Sequence, residues 1–135
     1  MTVQYSVAVR NAKLDAIETA IGVSAILKLR TGAAPASCVA ADTGTVVATI
    51  NLPADWMAAA AAGSKSKSGT WEDAAADATG IMAHFRVYAS DGVTCHMQGT
   101  VTATGGGGDM TVDNTNAAVS QNIIINTFTI TAGNA

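Results

Sequence analysis

Residues 81–103 decide the fold, and they read Ile81-Met-Ala-His-Phe-Arg-Val-Tyr-Ala89, Ser90-Asp-Gly92 and Val93-Thr-Cys-His-Met-Gln-Gly-Thr-Val-Thr-Ala103. Both arms of this stretch alternate apolar and polar residues with a period of two, which is typical of a half-buried β-strand. Gly92 can adopt the left-handed backbone conformation that closes a three-residue hairpin loop. The stretch therefore predicts a long β-hairpin.

The register of this hairpin follows from keeping its apolar residues on one face. A three-residue loop at 90–92 pairs Ala89 with Val93 and Phe85 with Met97, whereas a two-residue loop would mix apolar and polar residues on both faces. We therefore expect Phe85 to lie in the core and the opposite face to be exposed. That opposite face carries Met82, His84, Arg86, Tyr88, Thr94, His96, Gln98 and Thr100.

The composition indicates one domain with an unusually charge-poor surface. The chain has 135 residues, enough for one domain with a real core. Charged residues make up 13%, about half the usual share, and aromatic residues 4%. Such a surface suits a subunit that packs against other subunits. The net charge is −3 and the seven basic residues form no cluster, so we expect no nucleic-acid partner.

The two cysteines and the N-terminus indicate a cytoplasmic site of synthesis. Cys38 and Cys95 do not make a disulfide framework, and the predicted register points Cys95 into the core, so we expect free thiols. The first residues lack a basic region followed by an apolar one, so we expect no signal peptide. No run of 18 apolar residues is present, so we expect no membrane partner.

The rest of the chain predicts an all-β, mainly antiparallel domain, a β-sandwich or jelly-roll-like fold with one N-terminal α-helix. Residues 1–22 form the helical segment, which Ser6 can cap and Gly22 can end. Residues 23–135 form a single β-sandwich domain with strands near 23–30, 45–52, 109–112 and 121–132. A bulge near Asn126 or Thr127 explains a phase change in the last strand. The four glycines at 105–108 predict a flexible or sharply bent loop.

Motifs for catalysis or cofactor binding are not found. His84 and His96 are diagonal neighbours on the hairpin, but zinc requires three or four convergent ligands, so we expect no metal site. The glycine loop is not followed by Lys-Ser, Lys-Thr or a helix, which disfavours phosphate binding. No motif places a carboxylate pair or a nucleophilic serine, so we expect neither an enzyme nor a cofactor. A less favoured alternative is a calcium ion held by Asp109, Asp113 and Asn114.

The outer face of the hairpin is the candidate interface or binding face. Trp56 is predicted to fill the core, whereas Trp71 fits either the core or an interface anchor, where aromatic residues concentrate binding energy. An alternative function is a carbohydrate-binding module of a tail or fibre that uses this face. The candidate residues are His84, Arg86, Tyr88, His96, Gln98 and Trp71.

Several motifs along the chain resemble those of small virion structural proteins of tailed bacteriophages and prophages. They are Tyr5-Ser-x-Ala-x-Arg-Asn-Ala-x-Leu-Asp-Ala-Ile17, Leu52-Pro-Ala-Asp-Trp56, Ala76-Asp-Ala-Thr-Gly-Ile-Met-Ala-His-Phe-Arg-Val87, Gln98-Gly-Thr-Val101, Gly107-Gly-Asp-Met-Thr-Val-Asp-Asn114 and Phe128-Thr-Ile-Thr-Ala-Gly-Asn134. The resemblance covers most of the chain. It implies a non-enzymatic, β-rich subunit located in the virion and assembled in the host cytoplasm.

The resemblance and the composition together predict an assembly function. We expect a capsid decoration (cement) protein that stabilises the head shell, or alternatively a minor tail component. The expected partners are copies of the chain itself and the major capsid protein or other virion proteins. A trimer is favoured because decoration proteins often occupy threefold or quasi-threefold axes.

Overall fold

The computed structural model describes all residues, 1–135, and the chain is mainly β-strand with a single helix. Helix α1 spans Val7–Ile21; the Ser6 side chain caps it by accepting a hydrogen bond from the Val9 amide, and Gly22 ends it. The strands are β1 (Ile26–Arg30), β2 (Val46–Asn51), β3 (Ser64–Ser66), β4 (Trp71–Asp73), β5 (Gly80–Ile81), β6 (His84–Tyr88), β7 (Cys95–Ala103), β8 (Met110–Val112), β9 (Asn116–Ala117), β10 (Ile123–Ile125) and β11 (Thr129–Thr131). No helix here has the length and apolar character needed to cross a lipid bilayer. The predicted N-terminal helix and mainly β class are confirmed.

The core lies on one face of a five-stranded sheet whose strand order is β2-β1-β6-β7-β8. All neighbours in this sheet are antiparallel except β7 and β8. The pairing of β1 with β6 puts Leu27 beside Val87 and Leu29 beside Phe85. All four side chains are buried, as the alternation predicts for the apolar phase of these strands.

Three two-stranded pairs, β10-β4, β11-β3 and β5-β9, complete the fold. Aromatic rings connect these pairs to the sheet: the Phe85 and Phe128 centroids are 5.6 Å apart, Phe128 and Trp71 are 5.7 Å apart, and Trp71 and Trp56 are 6.1 Å apart. Each such pair adds about 0.5–1.5 kcal/mol beyond the burial of its area. Both tryptophans are completely buried, so Trp71 fills the core as Trp56 does.

The predicted hairpin forms between β6 and β7, but its predicted register is wrong by two residues. Phe85 lies opposite Gly99 instead of Met97, and a bulge leaves His96 without a partner. The loop is longer than predicted because the Asp91 carboxylate accepts hydrogen bonds from the Val93 and Thr94 amides. These bonds, with the Thr94 hydroxyl, lower the pKa of Asp91 to about 2.

The first arm of the hairpin also changes phase, because it is interrupted between β5 and β6. Ile81 is 58% exposed and Met82 is 1% exposed, the reverse of the prediction. The Met82 amide donates to the Thr115 carbonyl, so Met82 lies next to the start of β9. The last predicted strand is likewise divided, into β10 and β11, at the residues where a bulge was predicted.

The glycine loop makes an unusually short parallel connection. Parallel neighbours normally need a crossover of about a dozen residues or more, yet residues 104–109 alone connect β7 to β8. The chain folds back against Thr102, whose hydroxyl accepts a hydrogen bond from the Gly108 amide at 2.9 Å. A Cβ at Gly108 would lie 2.8 Å from the Thr102 hydroxyl oxygen and 2.9 Å from the Thr102 backbone nitrogen. The sharply bent alternative of the prediction is therefore the observed one.

Gly108→Ala is expected to lower the free energy of unfolding by about 1–3 kcal/mol, the usual cost of overpacking. The new methyl group would press on a backbone atom, which cannot move aside as a flexible side chain can. Gly133→Ala is the matched control, because a Cβ there meets nothing within 4 Å and its free energy should change by less than about 0.5 kcal/mol. Urea unfolding measures the free energy of unfolding of both variants. Equal free energies would contradict the close packing of Gly108 against Thr102.

Candidate functional site

The second face of the five-stranded sheet is polar, and it is buried as well. Pairing of β1 with β6 puts Lys28 opposite Arg86 and Arg30 opposite His84. Arg30, His84 and Arg86 are at most 6% exposed. Because like charges directly opposite each other destabilise a sheet, this arrangement requires compensating groups. We call the following residues the polar face: Lys28, Arg30, His84, Arg86, Tyr88 and Gln98.

Residues 31–45, which connect β1 to β2, lie over the polar face, and we call them the covering loop. Its ends are joined by a hydrogen bond from the Thr31 amide to the Thr45 carbonyl. Side chains of the polar face donate to seven loop carbonyls, those of Gly32, Pro35, Ser37, Cys38, Ala40, Thr43 and Gly44. A buried loop without such donors would leave its carbonyl groups unpaired, so the polar face is what allows the loop to lie there.

Arg86 makes the largest share of these contacts. Its Nη2 atom donates to the Cys38 carbonyl at 2.9 Å and to the Ser37 and Ala40 carbonyls at 3.2 Å. Its Nη1 atom donates to Asp42, and its Nε atom donates to the Cys95 sulfur at 3.2 Å. A planar guanidinium with five N–H groups can meet several fixed acceptors at once, which a lysine ammonium group cannot reproduce.

Asp42 is the anion that compensates the polar face. Its carboxylate accepts hydrogen bonds from Arg86, from Arg30 at 2.8 Å and from the Tyr88 hydroxyl at 2.7 Å. Lys28 finds other partners, since its ammonium nitrogen lies 4.9 Å from the centre of the Tyr88 ring and donates to the Gly92 carbonyl at 3.1 Å. The three cations are thus held by one carboxylate, one aromatic ring and backbone carbonyls.

This network shifts the pKa values of its members. Burial alone would raise the pKa of Asp42, but the Tyr88 hydrogen bond and the charges of Arg30 and Arg86 outweigh burial and hold it below its ordinary value. Burial, and then the hydrogen bond to Asp42, raise the pKa of Tyr88 to about 12. At neutral pH the pair is therefore a neutral phenol donating to a carboxylate.

The predicted exposure of the candidate face is wrong for three of its residues, and of the two alternatives for Trp71 the core is the observed one. His84, Arg86 and Tyr88 are buried beneath the covering loop, and Trp71 is buried in the core. The remaining two residues differ: His96 is exposed, and Gln98 is half-buried with its amide donating to the Pro35 carbonyl at 2.7 Å. The prediction failed because alternation distinguishes two faces of a strand but does not show what covers each one.

The carbohydrate-binding alternative loses the exposed face on which it was based, because a sugar would have to displace the covering loop.

The histidines are also in different surroundings: the His84 Nδ1 atom is 2.7 Å from the Gly32 carbonyl oxygen, whereas His96 is exposed. No group of three or more His, Cys, Asp or Glu side chains is arranged to hold a metal ion. Asp109, part of the suggested calcium set, instead accepts hydrogen bonds from the Thr100 amide and hydroxyl.

A cavity of about 440 Å³ opens where the covering loop meets the hairpin. Its walls include the Asp42 and Arg86 side chains and both cysteines of the chain. The predicted inward orientation of Cys95 is wrong, because the hairpin bulge turns its sulfur toward Arg86. Both cysteines are free and half-buried.

A second buried ion cluster holds α1 against the strands. The Lys65 ammonium nitrogen is 2.7 Å from Asp15 Oδ1 and 2.9 Å from Glu18 Oε2, and its side chain is 2% exposed. Burial alone would lower the pKa of Lys65, but the hydrogen bonds to both carboxylates outweigh burial and raise it. A cavity of about 540 Å³ lies beside this cluster, and of the three carboxylates in its wall two, those of Asp15 and Glu18, are already paired with Lys65.

Sequence reasoning missed Asp42, Arg30 and Lys28 as members of the network. A signal was present, since Asp42 is the only charged residue between Thr31 and Thr45. A lone carboxylate in an alanine-rich loop, beside strands with outward-pointing cations, indicates an ion pair that fixes the loop.

Arg86→Ala is expected to lower the free energy of unfolding by about 3–5 kcal/mol, the usual cost of breaking a buried ion pair. The change removes the Arg86 donors of the Cys38 and Ala40 carbonyls, leaves the Ser37 carbonyl with the Ala40 amide alone, and removes one of two arginines from Asp42. Arg86→Lys keeps the charge and should fall between the wild type and Arg86→Ala. Urea unfolding measures the free energies of unfolding, and Lys13→Ala, at an exposed site, is the control. Equal losses of stability in Arg86→Ala and Lys13→Ala would contradict the stabilising role of Arg86.

In Tyr88→Phe, the free energy of unfolding is expected to fall less steeply with rising alkaline pH than in the wild type. The folded chain raises the pKa of Tyr88 from 10.0 to about 12, so the unfolded chain releases this proton first as the pH rises. The resulting stabilisation is complete below pH 10 and is lost between pH 10 and about 12. Unfolding midpoints measured across this range should fall less steeply for Tyr88→Phe than for the wild type. Tyr5→Phe, on the exposed N-terminal arm, should follow the wild type, and parallel slopes for all three would contradict the account.

Comparisons with known proteins identify no relative of the chain. No family model, no curated protein and no solved structure matches it.

Proposed function

We propose that the chain is a non-enzymatic structural subunit of a tailed-phage particle, most simply a capsid decoration protein that stabilises the head shell. The observation that carries this proposal is an apolar surface on the N-terminal arm and the first turn of α1. Val3 is 67% exposed, Val7 50% and Val9 44%. Exposed apolar residues that cluster along one segment mark an interaction surface, unlike the isolated ones found on most proteins.

Helix α1 extends this surface. Only Leu14 and Ile21 of the helix are fully buried. Its exposed side carries alanines spaced four residues apart, a spacing that places them in one row along the helix. Small side chains in a row allow a neighbouring backbone to approach closely. The exposed alanines are Ala8, Ala12, Ala16 and Ala20. Val7 and Val9 lie about 100° to either side of this row, at its N-terminal end. We call the row, with Val3, Val7 and Val9, the helix surface.

The arm is held in place, so the helix surface is preformed. The Tyr5 amide donates to the Asn134 carbonyl at 2.6 Å, and the Gln4 side-chain amide donates to the Ala135 carbonyl at 3.1 Å. Arg10 donates to the Ala132 carbonyl at 2.9 Å. A segment that is already ordered loses less conformational entropy when it binds, which favours association.

The proposed occupant of the helix surface is a second copy of the chain. With 13% charged residues and a net charge of −3, identical copies repel one another only weakly. A trimer is the favoured oligomer, because decoration proteins often occupy threefold or quasi-threefold axes. The remaining surfaces would then contact the major capsid protein; a position in the tail is the alternative location.

The finer fold assignment, a β-sandwich or jelly-roll-like domain, is part of this proposal. The apolar face of the five-stranded sheet and the strand pairs carrying Trp71 and Phe128 would form its two layers. The contact between the Phe85 and Phe128 rings, at 5.6 Å, supports this arrangement. Such domains present extended surfaces that suit symmetric assemblies.

The double substitution Val7→Lys and Val9→Lys is expected to shift an oligomer to monomers. Two charges would enter the proposed interface while the buried side of α1 keeps its contacts. Light scattering coupled to size-exclusion chromatography should show at least a tenfold weaker association, about 1.4 kcal/mol. Val119→Lys, at a 57% exposed site in the loop after β9, is the control and should associate as the wild type does.

Electron microscopy of particles from the phage or prophage that encodes the chain tests the location. The proposal expects density for the chain on the head shell. A wild-type protein that stays monomeric at high concentration and is found in no particle would overturn the proposal.

A further inference from the structure

We propose that Cys38 and Cys95 form an intramolecular disulfide that fastens the covering loop to the hairpin. This inference does not depend on where the protein works. Cys38 lies in the covering loop and Cys95 is the first residue of β7, so the bond would join covalently two segments that non-covalent side-chain contacts, including the Arg86–Asp42 ion pair, hold together. Both side chains line the same cavity of about 440 Å³.

Arg86 contacts both cysteine residues. Its Nη2 atom fixes the Cys38 backbone through the carbonyl at 2.9 Å, and its Nε atom contacts the Cys95 sulfur at 3.2 Å. The bulge opposite Val87 and Tyr88 is what turns Cys95 to this side of the sheet. Without the bulge, the alternation of the strand would direct Cys95 into the apolar core, away from Cys38.

The surroundings of Cys95 make it a slowly reacting thiol. Burial and the neighbouring Cys38 thiol raise the pKa of Cys95 to about 11, although Arg86 opposes this shift. A thiol with a raised pKa is mostly protonated at neutral pH and reacts slowly with oxidants. The exchange is therefore expected to begin at Cys38 in the covering loop, and Cys95 is the resolving thiol.

The oxidant required is an external disulfide such as oxidised glutathione. The Cys38 thiolate attacks one sulfur of the oxidant, forming a mixed disulfide and releasing one glutathione thiolate. The Cys95 thiolate then attacks the Cys38 sulfur, which forms the intramolecular bond and expels the second glutathione thiolate. The two protein thiols lose two protons and two electrons, and oxidised glutathione becomes two molecules of reduced glutathione.

The bond would stabilise the folded chain in a way that the hydrogen bonds cannot. It constrains the unfolded chain between two residues that are distant in sequence, which reduces the entropy gained on unfolding. It also retains the covering loop if solvent competes for the Arg86 hydrogen bonds. The loop would then stay over the polar face in an oxidising environment.

The test treats the folded full-length protein with oxidised glutathione at about pH 8, followed by alkylation, tryptic digestion and mass spectrometry. Cys38 falls in the tryptic peptide 31–65 and Cys95 in the peptide 87–135, so a bond between them gives one linked species. The expected product has lost two hydrogen atoms, and its thermal midpoint is raised by at least about 5 °C. Dithiothreitol should reverse both changes.

Cys38→Ser and Cys95→Ser are the matched controls, because each retains one thiol and cannot form the bond. Neither variant should gain thermal stability on oxidation. The proposal is overturned if the wild type yields only glutathione adducts or intermolecular dimers. It is also overturned if the linked peptides appear only in urea, or if the oxidised protein melts no higher than the reduced one.

Discussion

The burial of one guanidinium group, that of Arg86, is the interaction on which the rest of the structure depends. A charged group in the middle of a sheet is tolerated only where every N–H group has an acceptor and a carboxylate balances the charge. Asp42 and three carbonyls of the covering loop meet these requirements. The long connection between β1 and β2 is therefore ordered by side chains of β6, a strand more than 35 positions further along the chain.

Covering the polar face has consequences for the surfaces that remain. With both faces of the sheet occupied, the hairpin offers little area for a partner, and its exposed histidine, His96, lies at a bulge. Five of the eleven large apolar side chains that stay exposed lie within residues 1–9, on the arm and the first turn of α1; the other six, among them Val39 and Val93, are spread over the rest of the chain. The proposed assembly surface and the proposed disulfide are thus on separate parts of the molecule, and each can be altered without touching the other.

Local sequence signals predicted the elements that depend on local chemistry. The helix followed from Ser6 and Gly22, and the buried position of Phe85 followed from alternation along β6. The register and the burial of Arg86 could not be predicted in this way, because they depend on the Asp91 turn and on a loop that approaches from elsewhere in the chain. For the candidate site, only part of the network was predicted, namely His84, Arg86, Tyr88 and Gln98. That these side chains hold a loop in place depends on the three-dimensional path of residues 31–45.

Limited proteolysis of Arg86→Gln with elastase tests the central claim, that Arg86 holds the covering loop on the sheet, most directly. Elastase cleaves after small residues, and the loop contains five alanines while residues 58–62 provide an alanine-rich internal reference. The account predicts that cleavage within residues 33–41 accelerates at least about tenfold in the variant while cleavage at 58–62 keeps its wild-type rate, because only the loop opens locally. Unchanged cleavage of the loop, or equal acceleration at both segments, would contradict it.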